Sequence, residues 1–312
     1  MEPWSYYAMS SGAGHLMRGL SLARVAPVPM RLIVPQELPV EHRNVTLVVS
    51  GHESPVALLE GDPQVILVDT FPFGEHRELL GLLRAEEGKR LRVFVARRCS
   101  PGTYHAAQVR SLFDLILIPG PYEVGIITPD EQARVTEGWT IRDRGDVPQC
   151  PRDITFISGV AHREGMLPDV WRELKGRHHS MRFLSFETPS FIGEGYDCYR
   201  ALTGMMHLGM SKVVIAAATA AGVYEPLALG LPTLLVPFQQ RYDPHLARAL
   251  AANADHPDRI HVYDSTWTSS QTADVIEDLA SAGVSPDTVL NGVYEAVALI
   301  ERALDDLSLR RS

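Results

Sequence analysis

The first 118 residues alternate between short apolar runs and stretches with apolar residues at helical spacing. Apolar runs bounded by turn residues predict strands buried on both faces of a parallel sheet. Apolar residues three or four positions apart predict helices that cover the sheet. The predicted strands are 4–9, 30–34, 45–49, 65–68, 91–96 and 115–118, and the predicted helices are 16–25, 75–86 and 104–112. This alternation predicts an α/β domain with a parallel sheet.

A second series of the same kind follows a polar segment with two prolines at 142–153. Its predicted strands are 154–158, 181–186, 213–217, 233–237 and 260–263, and its predicted helices are near 167–174, 199–208, 223–229, 272–280 and 286–307. Because the polar segment breaks the periodicity, we place a domain boundary there. The expected organisation is an N-terminal domain at 1–148 and a C-terminal domain at 149–312, in keeping with a prior of roughly 150 residues per domain.

Composition narrows the class of protein. The chain has 312 residues, of which 45% are hydrophobic and 21% charged, and a net charge of −9. An acidic balance argues against a protein that binds nucleic acid through phosphate contacts. Cys99, Cys150 and Cys198 have no zinc-ligand spacing, so a reducing cytoplasm is the expected location. We see no leader segment, and no apolar run reaches the ~18 residues of a membrane helix, although a peripheral membrane contact stays open.

The segment 211–243 has the strongest pattern for a ligand site. It reads as a strand, a turn of small residues, a helix, a Gly-Pro break and a second strand. Thr219 and Gly222 lie in the turn, where the backbone can approach a ligand at a helix start that favours phosphate. Glu225 follows in the first turn of the predicted helix. It could cap that helix or accept hydrogen bonds from sugar hydroxyls.

A second glycine-containing turn follows the first strand. Gly12 and Gly14 give a tight turn, His15 comes next, and Arg18 lies one helical turn further along. A dinucleotide fingerprint would need a third glycine where Met17 stands, which weakens that interpretation. A histidine with a pKa of ~6.5 can take a proton from a hydroxyl at neutral pH, or it can simply pack against the turn. Arg18 could meet a phosphate or form a salt bridge with a carboxylate.

These segments resemble the GT-B glycosyltransferases. TAAGVYEPLALGLPTLLVPF at 219–238 is similar to the nucleotide-sugar signature of the lipid-linked N-acetylglucosaminyltransferases of peptidoglycan synthesis and of the nucleotide-sugar hydrolases of pseudaminic acid synthesis. The G-H-x-x-R turn resembles the amino-terminal loop of the same group. The resemblance implies two Rossmann-like domains facing across a cleft, with the last helix crossing back to the first domain. It also implies ribose binding by Glu225, a diphosphate at the 219–222 turn, and His15 as general base.

Further candidate residues come from strand ends and from the same resemblance. Asp69 ends a predicted strand at the edge where α/β sheets bind ligands, and could orient His15, contact an acceptor or cap a turn. Arg97 and Arg98 end the next strand and could hold an anionic acceptor or remain solvated. Family members have a phosphate-side turn at the position of Gly159, although the Gly-Gly-Ser pattern differs here. They also hold the donor sugar with polar residues at the positions of Gln239, Gln240 and Asp243.

The expected activity is an inverting glycosyl transfer from a nucleotide-diphosphate sugar, with uridine as the expected nucleoside and His15 as the catalytic base. No Asp-x-Asp pair follows a strand, and the GT-B group usually works without a metal, so we expect none. We also expect no cofactor, since the nucleotide sugar is itself the donor substrate. Two alternatives remain: a nucleotide-sugar hydrolase of the same fold, and a non-catalytic nucleotide-sugar-binding protein. The sequence leaves the sugar, the acceptor and the oligomeric state undetermined.

Overall fold

A computed structural model describes most of the chain. The described residues are 2–8, 13–35, 44–50, 55–69, 71–74, 76–140, 153–157, 166–184, 197–199, 208–285, 290 and 292–311. The chain divides into two compact units. Unit 1 comprises Met1–Ile141 and Leu290–Ser312, and unit 2 comprises Arg142–Val289. The division falls close to the polar segment that breaks the periodicity of the sequence.

Unit 1 contains a parallel sheet in which seven strands are described. The strands are β1 (Trp4–Tyr7), β2 (Met30–Val34), β3 (Val45–Val49), β4 (Val65–Asp69), β5 (Leu91–Val95), β6 (Leu115–Ile118) and β7 (Ala133–Val135), in the order β3-β2-β1-β4-β5-β6-β7. The helices of this unit are α1 (Ala13–Val25), α2 (Leu80–Ala85), α3 (Ala106–Leu112) and, from the end of the chain, α8 (Gly292–Arg311). The order reverses direction next to β1, which places the end of β1 beside the end of β4.

Unit 2 repeats the arrangement with six described strands. They are β8 (Asp153–Ile157), β9 (Met181–Leu184), β10 (Asp197–Tyr199), β11 (Ser211–Ala217), β12 (Thr233–Val236) and β13 (Ile260–Val262), in the order β10-β9-β8-β11-β12-β13. The described helices are α4 (Met166–Gly176), α5 (Ala220–Ala228), α6 (His245–Asp255) and α7 (Ser269–Ala282). Strands β8 and β11 are almost entirely buried, as continuous apolar runs predict.

The last helix packs within unit 1, against α1, β5 and β6. Its first residue, Gly292, lies so close to Glu137 that a Cβ there would overlap the carbonyl of Glu137. The amide of Glu137 also donates to the carboxylate of Glu295 at 3.0 Å. The close contact between Gly292 and Glu137 fixes where α8 begins. No helix in the described part of the chain combines the length and the apolar character needed to cross a membrane.

Some predicted elements were wrong in extent or type. The helix predicted at 75–86 starts only at Leu80, because Arg77 has a left-handed φ of 65° that a helix excludes. Tyr199, predicted to start a helix, ends β10 instead, where it pairs with Leu184; residues 200–207 lie outside the described residues. Strand β7 and helix α6 were not predicted. Strand β7 has three residues, and the buried residues of α6 are two alanines, a histidine and an arginine, so neither gives a strong apolar pattern.

Candidate functional site

Four side chains of unit 1 meet where β1 and β4 end. Tyr6 lies in β1, and Asp69 is the last residue of β4, the neighbouring strand. His15 and Arg18 are three residues apart on α1, so they share one face of that helix. Because α1 follows β1 directly, this face is held over the end of β4. The topology thus brings together residues that are distant in sequence.

Asp69 is the centre of this cluster. Its carboxylate accepts from the hydroxyl of Tyr6 at 2.6 Å, from Arg18 Nε at 3.0 Å and from Arg18 Nη2 at 2.9 Å. His15 Nδ1 lies 3.2 Å from Asp69 Oδ1 and 3.1 Å from Arg18 Nη2. An ionised carboxylate can only accept and a guanidinium can only donate, so Asp69 favours a proton on Nδ1 whereas Arg18 favours the tautomer in which Nδ1 accepts. All four residues are buried, and His15 is 4% exposed.

Burial and ion pairing divide the charges within the cluster. Burial lowers the pKa of His15, and with the positive charges of Arg18 and Arg97 it outweighs the neighbouring Asp69, which raises that pKa, so the imidazole is neutral at pH 7. Burial alone would raise the pKa of Asp69, but Arg18 and His15 outweigh it and hold that pKa well below its usual range. Burial and the same carboxylate raise the pKa of Tyr6, which keeps the phenol protonated. The cluster is therefore a buried ion pair beside a neutral, oriented imidazole.

The other sequence-predicted residues of unit 1 are less closely joined. Gly14 lies in the first turn of α1, where an added Cβ would meet no described atom within 4 Å, so close packing does not require glycine there. Gly12 lies outside the described residues. Arg97 and Arg98 follow β5 and are partly exposed, and the amide of Arg98 donates to the buried carboxylate of Glu123 at 3.0 Å.

In unit 2, the turn after β11 forms the start of α5. Thr219 is the N-cap of this helix, and its hydroxyl accepts from the amide of Gly222 at 3.1 Å. A Cβ on Gly222 would overlap the carbonyl oxygen of Ala217, so the turn requires glycine at this position. The amides of Ala220 and Ala221 have no acceptor among the described residues, and both residues are partly exposed. A helix start with available amides favours a bound anion.

Glu225 lies on α5 one turn beyond Ala221, on the same side of the helix. The side chain is partly exposed at the surface, yet the surrounding protein removes enough water to raise the pKa of its carboxyl to about 7. No described residue forms a hydrogen bond or ion pair with this carboxyl. An acceptor that has no partner in the described part of the chain, next to a helix start, fits a ligand with hydroxyl groups.

The loop after β12 holds the remaining predicted residues. Gln239 and Gln240 are exposed, and a backbone bridge joins Gln239 to Pro244. Asp243 is buried and accepts from Arg248 Nη1 at 2.7 Å. The carboxylate already binds a guanidinium, and its contact with the donor sugar stays a prediction. Gly159 lies outside the described residues.

Tyr6, which binds Asp69, and Arg248 and His245, which both lie beside Asp243, were not singled out from the sequence. Tyr6 is one of several aromatic residues in an apolar strand, and nothing local marks its hydroxyl as a donor to Asp69. Arg248 and His245 gave a usable signal, because both fall on the alanine-rich side of α6 that faces the protein. A charged residue on a buried helix face needs a partner, and this indicates a buried network.

The two parallel α/β units, each with a candidate site after its strands, define a GT-B fold, and the comparisons support this. No family model matches the sequence. The glycotransferase of kitacinnamycin has a TM-score of 0.60 and 15% identity, over 98% of this chain and 95% of that protein. MurG of Acinetobacter baumannii has a TM-score of 0.58 and 15% identity, over 97% of this chain and all of that protein. MnaA of S. aureus, solved with UDP, has a TM-score of 0.59 and 9% identity, over 98% of each chain. These similarities establish the fold.

Proposed function

We propose that this protein is a nucleotide-sugar glycosyltransferase, an inverting and metal-independent one that uses a uridine-diphosphate sugar. The observation that carries the proposal is the neutral imidazole of His15, oriented by a buried carboxylate in the first unit of a GT-B fold. A glycosyl transfer needs a base for the acceptor hydroxyl and a means of stabilising the departing diphosphate. Unit 1 offers the base, and the start of α5 in unit 2 offers the anion site.

In the proposed reaction, His15 Nε2 takes the proton from an acceptor hydroxyl while Nδ1–H remains directed at Asp69. The acceptor oxygen forms a bond to the anomeric carbon as the bond from that carbon to the diphosphate breaks. Attack from the face opposite the leaving group inverts the anomeric centre. Asp69 stabilises the imidazolium that forms, as a buried carboxylate does in other histidine-based sites. Since His15 is 4% exposed, the reaction requires that an acceptor gain access to it.

The donor would bind to unit 2. The available amides of Ala220 and Ala221, together with the dipole of α5, would stabilise the developing charge on the leaving diphosphate. Glu225, partly exposed and without a described partner, would accept hydrogen bonds from the ribose hydroxyls. The exposed Gln239 and Gln240 would contact the sugar. A ligand held by amides and dipoles needs no metal, and we expect activity to persist after treatment with EDTA.

A binding screen followed by one variant tests the proposal. Uridine and thymidine diphosphate sugars should be screened by thermal shift, since a ligand at a hundredfold excess over Kd stabilises by ~2.7 kcal/mol. His15→Ala should then lower kcat by roughly 10²–10⁴-fold, because the general base is lost, with little change in nucleotide affinity. The matched control is His179→Ala, which removes a histidine paired with Glu277 at 2.6 Å in the other unit.

The same experiment separates the alternatives. Rapid release of free sugar without an acceptor would identify a hydrolase. Tight nucleotide-sugar binding without turnover, and full biological activity of His15→Ala, would identify a binding protein. If no nucleotide sugar stabilises the protein, the proposed function is wrong.

A further inference from the structure

A second buried ionic network lies in unit 2, among three residues at and before the start of α6. Arg248 is 0% exposed, and its Nη1 donates to Asp243 Oδ1 at 2.7 Å and to the carbonyl of Ala218 at 2.8 Å. His245 is 1% exposed, with Nε2 3.5 Å from Asp243 Oδ2. Its Nδ1 accepts from the amide of Phe238 at 3.4 Å. Asp243 thus lies between an arginine and a histidine, each of which also contacts the backbone.

The two backbone contacts fall immediately before the two candidate donor-binding segments. Ala218 directly precedes Thr219, the N-cap of α5, and its carbonyl is the group that Arg248 holds. Phe238 directly precedes Gln239 in the exposed loop after β12. The network therefore joins the turn that starts α5 to the loop that carries the glutamines. These segments lie at the ends of the adjacent strands β11 and β12.

General stability alone is a weak explanation for a buried arginine at this position. Burying an ion pair costs desolvation that is often not recovered, and a well-packed apolar pair of similar size is commonly as stable. An arginine does provide several donors in a fixed planar arrangement. That geometry lets one side chain bind a carboxylate and a carbonyl at once. The distinctive contribution of Arg248 is therefore that it fixes the position of the Ala218 carbonyl.

We infer that Arg248 is a positioning residue, which fixes the turn at the start of α5 relative to the loop after β12 through Asp243 and His245. The inference rests on the proposed function for its ligand, a nucleoside diphosphate held by the amides of that turn. With Arg248 in place, the amides of Ala220 and Ala221 are preorganised toward one point. Without Arg248, the turn samples other positions, and binding of the diphosphate must then also order the turn, which weakens binding.

The matched control lies at the opposite end of the strands of the same sheet, where β8 and β11 begin. Arg182, in β9, is 5% exposed, and its Nε lies 3.3 Å from Asp153 Oδ2 at the first residue of β8. Arg182→Met therefore removes a buried arginine from an aspartate in the same unit, away from α5. Arg248→Met and Arg182→Met should both lower thermal stability. Only Arg248→Met should alter the turn and the loop.

The test begins with a measurement that needs no ligand. In hydrogen exchange, Arg248→Met should increase the exchange rates of the amides of Gly222 and Val223 at least tenfold, with α4 and α7 unchanged. UDP binding is then measured by calorimetry, followed by donor KM and kcat. Arg248→Met should weaken UDP binding and raise the donor KM at least tenfold, with a smaller change in kcat. Arg182→Met should leave all of these at the wild-type values.

A second variant covers the case in which Arg248→Met does not fold. The double variant Asp243→Asn with Arg248→Met removes both charges of the described ion pair, yet still removes the donor to Ala218, and it should show the same weakened binding. Folded variants with wild-type exchange rates and wild-type UDP affinity would overturn the inference, as would failure of both variants to fold. If wild-type protein binds no UDP, the proposed function fails instead. Altered exchange in Arg248→Met would still support the positioning of the turn.

Discussion

Asp69→Asn should be strongly destabilising, because it removes the negative charge from a buried cluster. The carboxylate accepts hydrogen bonds from Tyr6 and twice from Arg18, and it lies beside His15. An asparagine amide presents two donors, so at least one of these contacts becomes donor against donor. Arg18, 7% exposed, then keeps its buried charge after losing the carboxylate of Asp69. Breaking a buried pair by removing one partner costs about 3–5 kcal/mol.

The pH dependence gives this prediction a second check. The pKa of Asp69 is held well below its usual range in the folded chain, and is about 3.9 in the unfolded chain. The carboxylate therefore contributes stability that is fully present above about pH 4 and is lost as the pH falls toward the folded pKa. Urea unfolding at several pH values should show the largest difference between wild type and Asp69→Asn at pH 6–7, about 3–5 kcal/mol, shrinking below about pH 4.

A surface ion pair in the same unit provides the control. Asp62 pairs with Arg90 at 2.6 Å, but its side chain is 77% exposed, so Asp62→Asn should cost at most about 1 kcal/mol. Under the proposed function, Asp69→Asn should also lower kcat by roughly 10²-fold or more, because His15 loses the acceptor that favours a proton on its Nδ1. A stability loss below about 1 kcal/mol for Asp69→Asn would show that the cluster does not depend on this charge.

Three further predictions concern α5, α1 and metals. In urea unfolding, Glu225→Gln should be more stable than wild type by about 1–3 kcal/mol at pH 8 and equally stable near pH 4. The reason is that a carboxyl whose pKa is raised to about 7 in the folded chain loses folding stability as the pH rises through that value. The same variant should weaken UDP binding. Gly222→Ala should lower the free energy of unfolding by about 1–3 kcal/mol and reduce UDP affinity, because the added Cβ would overlap the carbonyl of Ala217. Thermal unfolding measures the first effect. The control, Gly14→Ala, should change the free energy of unfolding by at most about 1 kcal/mol. Glycosyl transfer should be unaffected by EDTA, and loss of activity that Mg²⁺ restores would refute metal independence.

The strands were the most predictable part of the molecule. Strands β2, β3 and β6 have the predicted bounds, because each appears in the sequence as a short apolar run with clear ends. The start of α2 could not be predicted in this way. Glu78 accepts from Tyr7, 71 residues away, and from the amide of His76. These contacts stabilise a turn where the local pattern predicts a helix, and they depend on the folded sheet.

The locations of the candidate site residues could be predicted from the sequence more readily than the groups to which they bind. The rule that parallel strands present ligands at their carboxyl ends placed Asp69 near the turn that carries His15. The sequence left Arg18 with two possible partners, a phosphate or a carboxylate, and the structure pairs it with Asp69. The contact of Arg248 with Ala218 could not be predicted, since this acceptor is a backbone carbonyl 30 residues away. Contacts to backbone groups leave no pattern of residue types in a sequence.

The two ionic clusters have a common geometry, with a consequence for both units. In each, a buried arginine on a helix binds an aspartate that ends or follows a strand: Arg18 with Asp69, and Arg248 with Asp243. Such pairs add little net stability over apolar packing, so their main physical effect is to restrict where the strand ends and the helix can lie. His15 in unit 1 and the start of α5 in unit 2 are the groups placed by that restriction. Replacing either pair with apolar residues of matched volume should therefore preserve folding better than it preserves the geometry of the candidate sites.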